Sequence, residues 1–202
     1  RKDTLYCDSI DSPERQAVRT VLDQLFLTLA TWLAPIIPFT VEEAWLTRFP
    51  REKENGSVHL RQFCDIPSSW YDNDLAEKWE LIRKLRRVVT GALEVERAEK
   101  RIGSSLSADA IIYTSNSFKV ALSDINLADL CITSSARFGE GDAPSEAFAV
   151  SDTPDVKVMI ELAGGQKCAR CWKILPEVGT HDIHKDLCNR CVDVIGDTPV
   201  AA

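Results

Sequence analysis

The sequence lacks the loops on which nucleotide-dependent enzymes are built. None of its 9 glycines precedes a lysine, so there is no P-loop, and Gly139-Glu-Gly141 lacks the third glycine of a dinucleotide loop. Histidine is scarce: His59, His181 and His184 are the 3 present, and none has a plausible nucleophile partner in the pattern. Carboxylates are many, but no pair stands out from a solvated surface. The longest apolar stretch, around Leu25 to Phe39, is interrupted by Thr28, Thr31, Pro35 and Pro38. It falls short of the roughly 20 residues a membrane span needs. The chain opens on the polar run Arg1-Lys2-Asp3-Thr4, so no signal peptide is expected. The only methionine is Met159, and the chain is therefore read as a piece of a longer protein.

Positive charge is also in deficit. A net charge of −7 over 202 residues argues against a dedicated basic coat, so any nucleic-acid contact must use a local patch. With 45% apolar and 27% charged residues the composition is that of a globular chain, which rules out wholesale disorder. The length allows one large or two modest domains.

Sulfur is what the sequence has in quantity. Cys7, Cys64 and Cys131 are scattered singly, as small core residues are in a reducing compartment. The other four form two C-x2-C pairs, Cys168/Cys171 and Cys188/Cys191, with 16 residues between them. This spacing reads as a zinc site, since thiolates at i and i+3 on a tight turn can both reach one ion. Four protein ligands leave no open position, so the site is structural and its binding energy is folding energy. An iron centre of the rubredoxin kind and two disulfides are the alternatives, and His181 or His184 could replace a cysteine.

Arg170 and Trp172 flank Cys171, and Arg190 lies inside the second pair. A cation and an indole on a metal-fixed loop suit an unpaired base. Equally, Trp172 could roof the metal as a small core while the arginines bond to the cysteine-rich turns.

Helical periodicity is clearest over residues 12–34, where Val18, Val21, Leu22, Leu25, Phe26, Leu29, Trp32 and Leu33 form one apolar stripe. Asp11 or Ser12 is the expected cap. Pro35 and Pro38 should end this helix, and Thr40-Val-Glu-Glu43 reads as a capping box for the next, with Phe39 stapled onto Ala44. A long helix is predicted from about Asp74 to Ile102 with Gly103 as its stop. It carries Arg83, Arg87, Arg97 and Arg101 on one face. From Glu77 to Ile102 there are 8 positive and 5 negative residues, which suits phosphate binding or a solvated face laced with Glu94 and Glu99 pairs. Ala110–Tyr113, Cys131–Thr133 and Val156–Leu162 read as strands, Phe118–Leu122 as a helix, and Gly139–Pro144 as loop.

The expected fold is mainly α: an antiparallel helix bundle over 1–103, a small α/β subdomain over 104–163 and a C-terminal four-cysteine zinc-finger or ribbon module over 164–202.

Arg1-Lys-Asp-Thr-Leu-Tyr-Cys-Asp8, Trp32-Leu-Ala-Pro-Ile-Ile-Pro-Phe-Thr40 and Glu42-Glu43-Ala-Trp45 resemble the anticodon-binding helical domain of class I aminoacyl-tRNA synthetases. Gly56-Ser-Val-His59, the run from Val95 to Leu106 and Cys168-Ala-Arg-Cys-Trp172 narrow the resemblance to the bacterial isoleucyl-tRNA synthetase family. It covers nearly the whole chain and is weakest from about Ala108 to Asp155. The resemblance implies one structural zinc and contact between Arg170, Trp172 and the anticodon arm of isoleucine tRNA. A cytoplasmic location follows from the singly scattered cysteines, and a monomer that binds neither DNA nor membrane is expected. ATP would be used only in a catalytic domain lying upstream, and this piece alone is expected to be non-catalytic. Two competing readings are a zinc-finger fragment of a formamidopyrimidine-type repair glycosylase, which would need an N-terminal proline nucleophile, and a zinc-ribbon protein-interaction module.

Overall fold

A computed structural model describes residues 2–196. The chain divides into two compact units between Tyr71 and Asp72.

The first unit holds α1 (Lys2–Cys7), α2 (Pro13–Leu33) and α3 (Pro38–Arg48). Helix α2 starts where its sequence dictates. The Ser12 hydroxyl accepts the Arg15 N–H at 3.1 Å, and Pro13 occupies the first turn, where its missing donor costs nothing. Its core is narrower than the periodicity implies. Ala30, Ala34, Val41, Trp45 and Val58 are buried, with Phe26, Leu27, Leu46 and Phe49 packed around them. Val21, Leu22, Leu25, Leu29, Trp32 and Leu33 stay exposed. The stripe is real, but α3 covers only the line through Phe26, Ala30 and Ala34.

The expected capping box is absent. Helix α3 begins at Pro38, because proline is already set to the φ of a first helical residue, and Thr40 and Glu43 lie within it. Phe39 is 89% exposed and staples to nothing. Glu42 faces the following loop instead, accepting the Ser57 hydroxyl at 2.8 Å and the Val58 N–H at 3.0 Å. The Trp45 indole donates to Glu52 Oε2 at 2.6 Å, and Arg61 pairs with the same carboxylate at 2.6 Å. These two contacts hold Glu52 below the usual carboxylate range.

The second unit opens with α4 (Asn73–Ala98), capped by Asp72, whose carboxylate accepts the Leu75 N–H at 2.8 Å. β1 (Ala108–Thr114), α5 (Asn116–Ala121), α6 (Leu127–Cys131), β2 (Ser135–Phe138), β3 (Phe148–Val150) and β4 (Thr153–Leu162) follow. The four strands form one mixed sheet in the order β2-β1-β4-β3. β2 runs parallel to β1, and β4 is antiparallel to both β1 and β3. Ile82, Leu85, Val88, Val89, Ala92 and Leu93 of α4 bury with Ala108, Ala110 and Ile112 of β1 and Val156 and Val158 of β4. The long helix, read from sequence as part of a bundle over 1–103, thus has its apolar face on a sheet. Gly91 makes this possible: a Cβ there would lie 2.8 Å from the Phe148 ring of β3.

Two local expectations are corrected. Helix α4 stops before Gly103, at Ala98, and the chain closes at Lys100, which adopts φ +59° while the Arg101 N–H returns to the Glu96 carbonyl at 2.9 Å. A left-handed residue is what such a closure needs, and lysine supplies it here. Cys131–Thr133 is not a strand, because Cys131 ends α6, Ile132 is left-handed at φ +59°, and pairing begins at Ser135.

The cysteine-rich segment contributes β5 (Gln166–Lys167), β6 (Ile174–Leu175) and α7 (Asn189–Ile195) to this unit. Among the described residues no helix is long and apolar enough to cross a membrane.

Candidate metal centre and nucleic-acid surface

The ribbon β5–β6 builds the first knuckle. Lys167 pairs with Ile174, the Cys168 N–H donates to the Lys173 carbonyl at 2.9 Å, and the Trp172 N–H donates to the Cys168 carbonyl at 2.9 Å. Such a tight reversal requires special backbone. Trp172 takes φ +68°, and Gly165 takes φ +113°, where a Cβ would meet the Leu175 carbonyl carbon at 2.3 Å. The second knuckle leads into α7, with Cys188 at its N-cap and Cys191 in its first turn. The Cys188 N–H points back to Cys168 Sγ at 3.4 Å.

All four sulfurs converge, lying within 4.8 Å of one another, and Cys171 Sγ is 3.7 Å from Cys188 Sγ. Ligands at 2.3 Å around a tetrahedral ion are separated by about 3.8 Å, so the cluster has the dimensions of a zinc site. The cysteines are free, and 3.7 Å is far beyond a disulfide bond of about 2.05 Å. His181 bonds Asn189 Oδ1 at 2.8 Å and His184 bonds the Gly196 carbonyl at 3.1 Å, so each is engaged outside the cluster. The Cys171 thiol is pushed up to about 12 by its bond with Cys191 and by burial, and burial chiefly raises Cys188 to about 11. A metal ion must therefore displace protons to bind.

The residues around the knuckles separate into two kinds. Trp172 does not roof the metal: it is 59% exposed, with Lys167 Nζ 5.3 Å from the ring centroid. Arg170 turns inward, its guanidinium donating to Cys191 Sγ at 3.7 Å. Arg190 is half-buried on α7. Lys167 was missed from the sequence; the signal that would have found it is its register opposite Ile174, which brings it to the same knuckle.

The arginine face of α4 is largely compensated. Arg87 bonds Asp152 at 2.5 Å and Thr153 Oγ1 at 3.4 Å. Arg97 pairs with Glu94, and Arg101 with both Glu96 and Glu99. Glu96 is held below its usual range by the Arg101 bond. Arg83 is exposed and carries no ion pair among the described residues, as does Lys84. Three of the four arginines are thus ion-paired, but only Arg97 and Arg101 pair with the Glu94 and Glu99 of the solvated-face reading.

The zinc ribbon is keyed to the sheet region by two contacts that bring it no chemistry of its own. Lys173 Nζ meets Asp129 of α6 at 2.7 Å. The Ser134 hydroxyl accepts the Ile174 N–H at 2.7 Å while donating to the Leu106 carbonyl at 2.6 Å.

Residues 1–112 match the family described as the anticodon-binding domain of tRNA ligase. The chain belongs to this anticodon-binding family. Residues 165–194 match a second family, the zinc finger found in FPG and IleRS, and they contain all four cysteines of the cluster. Together the cluster and this match support a structural zinc. The anticodon-binding chain is 47% identical over 191 residues to the isoleucine–tRNA ligase of Bartonella henselae, covering 94% of this chain and 19% of that protein. It is 48% identical to that of Agrobacterium fabrum over 191 residues, with the same coverage. With that of Ruegeria pomeroyi it shares 47% over 197 residues, 97% of this chain and 20% of the relative. The chain thus spans about a fifth of the length of these curated relatives. The match over residues 1–112 disfavours the glycosylase reading.

Proposed function

We propose that this chain is the tRNA-binding C-terminal part of an isoleucine–tRNA ligase, holding the anticodon arm of isoleucine tRNA. ATP-dependent charging would take place on a catalytic domain elsewhere in the parent enzyme. The observation that carries the reading is the joint presence, in one chain, of an anticodon-binding match and a zinc finger whose four thiols converge to metal-site dimensions. Within this reading the zinc is structural. It holds a ribbon from which an indole projects into solvent, and the parent works in the cytoplasm as a monomer.

Two surfaces are proposed to meet RNA. Trp172, flanked by Lys167, offers one free ring face for stacking on an unpaired base and a cation for the adjoining phosphate. Arg83, exposed on α4, is the arginine best placed to meet a phosphate. Arg87, Arg97 and Arg101 must first leave their carboxylates, which lowers the return on each contact. Arg190 borders the second knuckle and completes the set.

The test is competition binding of the chain with isoleucine tRNA, the same tRNA carrying a swapped anticodon arm, and duplex DNA. Preference for the intact tRNA supports the proposal. Equal affinity for duplex DNA would overturn it in favour of a repair-type zinc finger, and no affinity for either would favour a protein-interaction module.

A further inference from the structure

Four thiolates around one divalent cation leave the centre with a net charge of −2. The four cysteines are all buried, and charge removed from water is costly unless hydrogen bonds or counter-charges meet it. A bond to an ionised sulfur is of the charge-assisted kind. Among the described residues several donors stand at the cluster, including the backbone N–H groups of Lys173 toward Cys171 and of Cys191 toward Cys188. Another is the Cys188 N–H, 3.4 Å from Cys168 Sγ, which carries no net charge. A cationic one is the Arg170 guanidinium, 3.7 Å from Cys191 Sγ. The Lys173 ammonium is directed to Asp129 at 2.7 Å rather than to a sulfur. Arg170 lies between two ligands of the first knuckle yet bonds a ligand of the second, 21 residues on, so it also ties the knuckles together across the ion.

We propose that Arg170 belongs to the metal centre: it offsets part of the site's negative charge at the Cys191 thiolate and thereby slows attack on that ligand and loss of zinc. This rests on the zinc reading above, and it takes Arg170 out of the expected set of RNA contacts. A sulfur that receives a cationic donor is a poorer nucleophile, because the donor occupies the electron density that an electrophile must reach. Cys191 is then the ligand best protected from alkylation. Its protection, rather than any contact with RNA, is what the guanidinium's inward turn provides.

The experiment uses the whole chain, loaded with one zinc and checked by metal analysis, with Arg170→Gln and Arg170→Lys as variants. Zinc release is followed with a chromogenic chelator during treatment with iodoacetamide, and mass spectrometry identifies which cysteine is modified first. Arg170→Gln should release zinc about tenfold faster, with Cys191 moving to the front of the modification order. Arg170→Lys, which keeps the charge but not the forked reach, should fall between the two. If Arg170→Gln does not fold, the lysine variant and the cadmium-113 resonance of the cadmium-loaded site carry the decision. A rate, order and resonance unchanged from the parent would overturn the proposal. So would weakened tRNA binding with zinc release unmoved, since that assigns Arg170 to RNA. A chain that takes up no zinc overturns both this proposal and the zinc reading, whereas one zinc released at the parent rate overturns only the role of Arg170.

Discussion

Replacing Trp172 with alanine separates a stacking platform from a structural roof, because the two roles differ in what else is lost. With 59% of the residue exposed, the indole buries roughly two-fifths of its surface, about 100 Å². At about 25 cal/mol per Å² the folded segment would lose at most about 2.5 kcal/mol, an upper bound because the unfolded chain also buries some surface. Structural zinc contributes an apparent 10–16 kcal/mol in small zinc modules, so the variant should keep its metal. Backbone strain does not enter the comparison, since alanine and tryptophan share the same reluctance to adopt the φ of +68° found there. On RNA the effect should be larger relative to its baseline. Loss of one stacked base costs about 1–3 kcal/mol, or roughly 5- to 150-fold in Kd. Trp172→Phe, which retains a ring, should recover most of that loss. Fluorescence-anisotropy titration with isoleucine tRNA measures it, and zinc analysis of the same samples provides the control. Zinc loss on Trp172→Ala would show that the side chain is core after all. Retained zinc with undiminished tRNA affinity would show that the exposed ring has no stacked base.

Other outcomes follow from the same geometry. Cys171→Ser should abolish stoichiometric zinc binding and raise amide exchange through residues 164–196, while the Trp45–Glu52 core of the first unit keeps its protection. Zinc uptake near pH 7 should release protons, because burial and the neighbouring thiols raise the Cys171 and Cys188 thiols above their ordinary range. Apparent affinity should therefore fall as pH falls, by up to tenfold per unit for each proton displaced, and calorimetry in buffers of different ionisation enthalpy would detect it. Uptake with no proton release would mean that the thiols are already ionised. Arg83→Ala should lower the slope of log K against log salt by about 0.7 to 0.9, the signature of one lost phosphate contact. Arg87→Ala should lower it less, since Arg87 is already paired with Asp152, and an equal drop would show that the pair opens freely on RNA.

What the sequence revealed and what it hid follow from the range of the interactions concerned. The four cysteines were legible because chelation is set by local spacing: two ligands per tight turn leave little freedom for anything but one ion. Helices α2 and α4 were legible because a stripe repeating at three and four residues has few other uses. The partner of each stripe was hidden. Nothing local tells Leu85 and Val89 that they will meet β4, and the clue lay in Gly91, whose vacancy fits the ring of Phe148 some 57 residues on. The fate of the arginines was hidden for the same reason. Arg97 and Arg101 find their carboxylates within the helix end, where spacing could show them, but Arg87 finds Asp152 at a separation of 65. Ends of elements were least legible where a residue acted against its type, as Lys100 and Ile132 do in adopting the left-handed conformation.

The zinc segment itself shows why a metal is needed at this place. Among the described residues its regular elements are two strands of two residues each and one helix of seven, too little to bury a core of its own. Its buried residues are chiefly the four ligands with Val178, Leu187 and Val192. Apolar burial on that scale is small against the conformational entropy of ordering the segment, so the thiolate bonds must supply most of the difference. The ion does not, however, decide where the segment lies. That falls to Lys173 on Asp129 and to Ser134, which accepts from Ile174 and donates to Leu106. Ser134 and Lys173 are largely withdrawn from solvent, where such bonds are worth more than on the surface. Zinc thus fixes the internal shape of the knuckles, and the sheet region fixes their position. An indole carried at such a turn presents its ring at one place and one angle, which a base-stacking surface requires and a flexible tail does not provide.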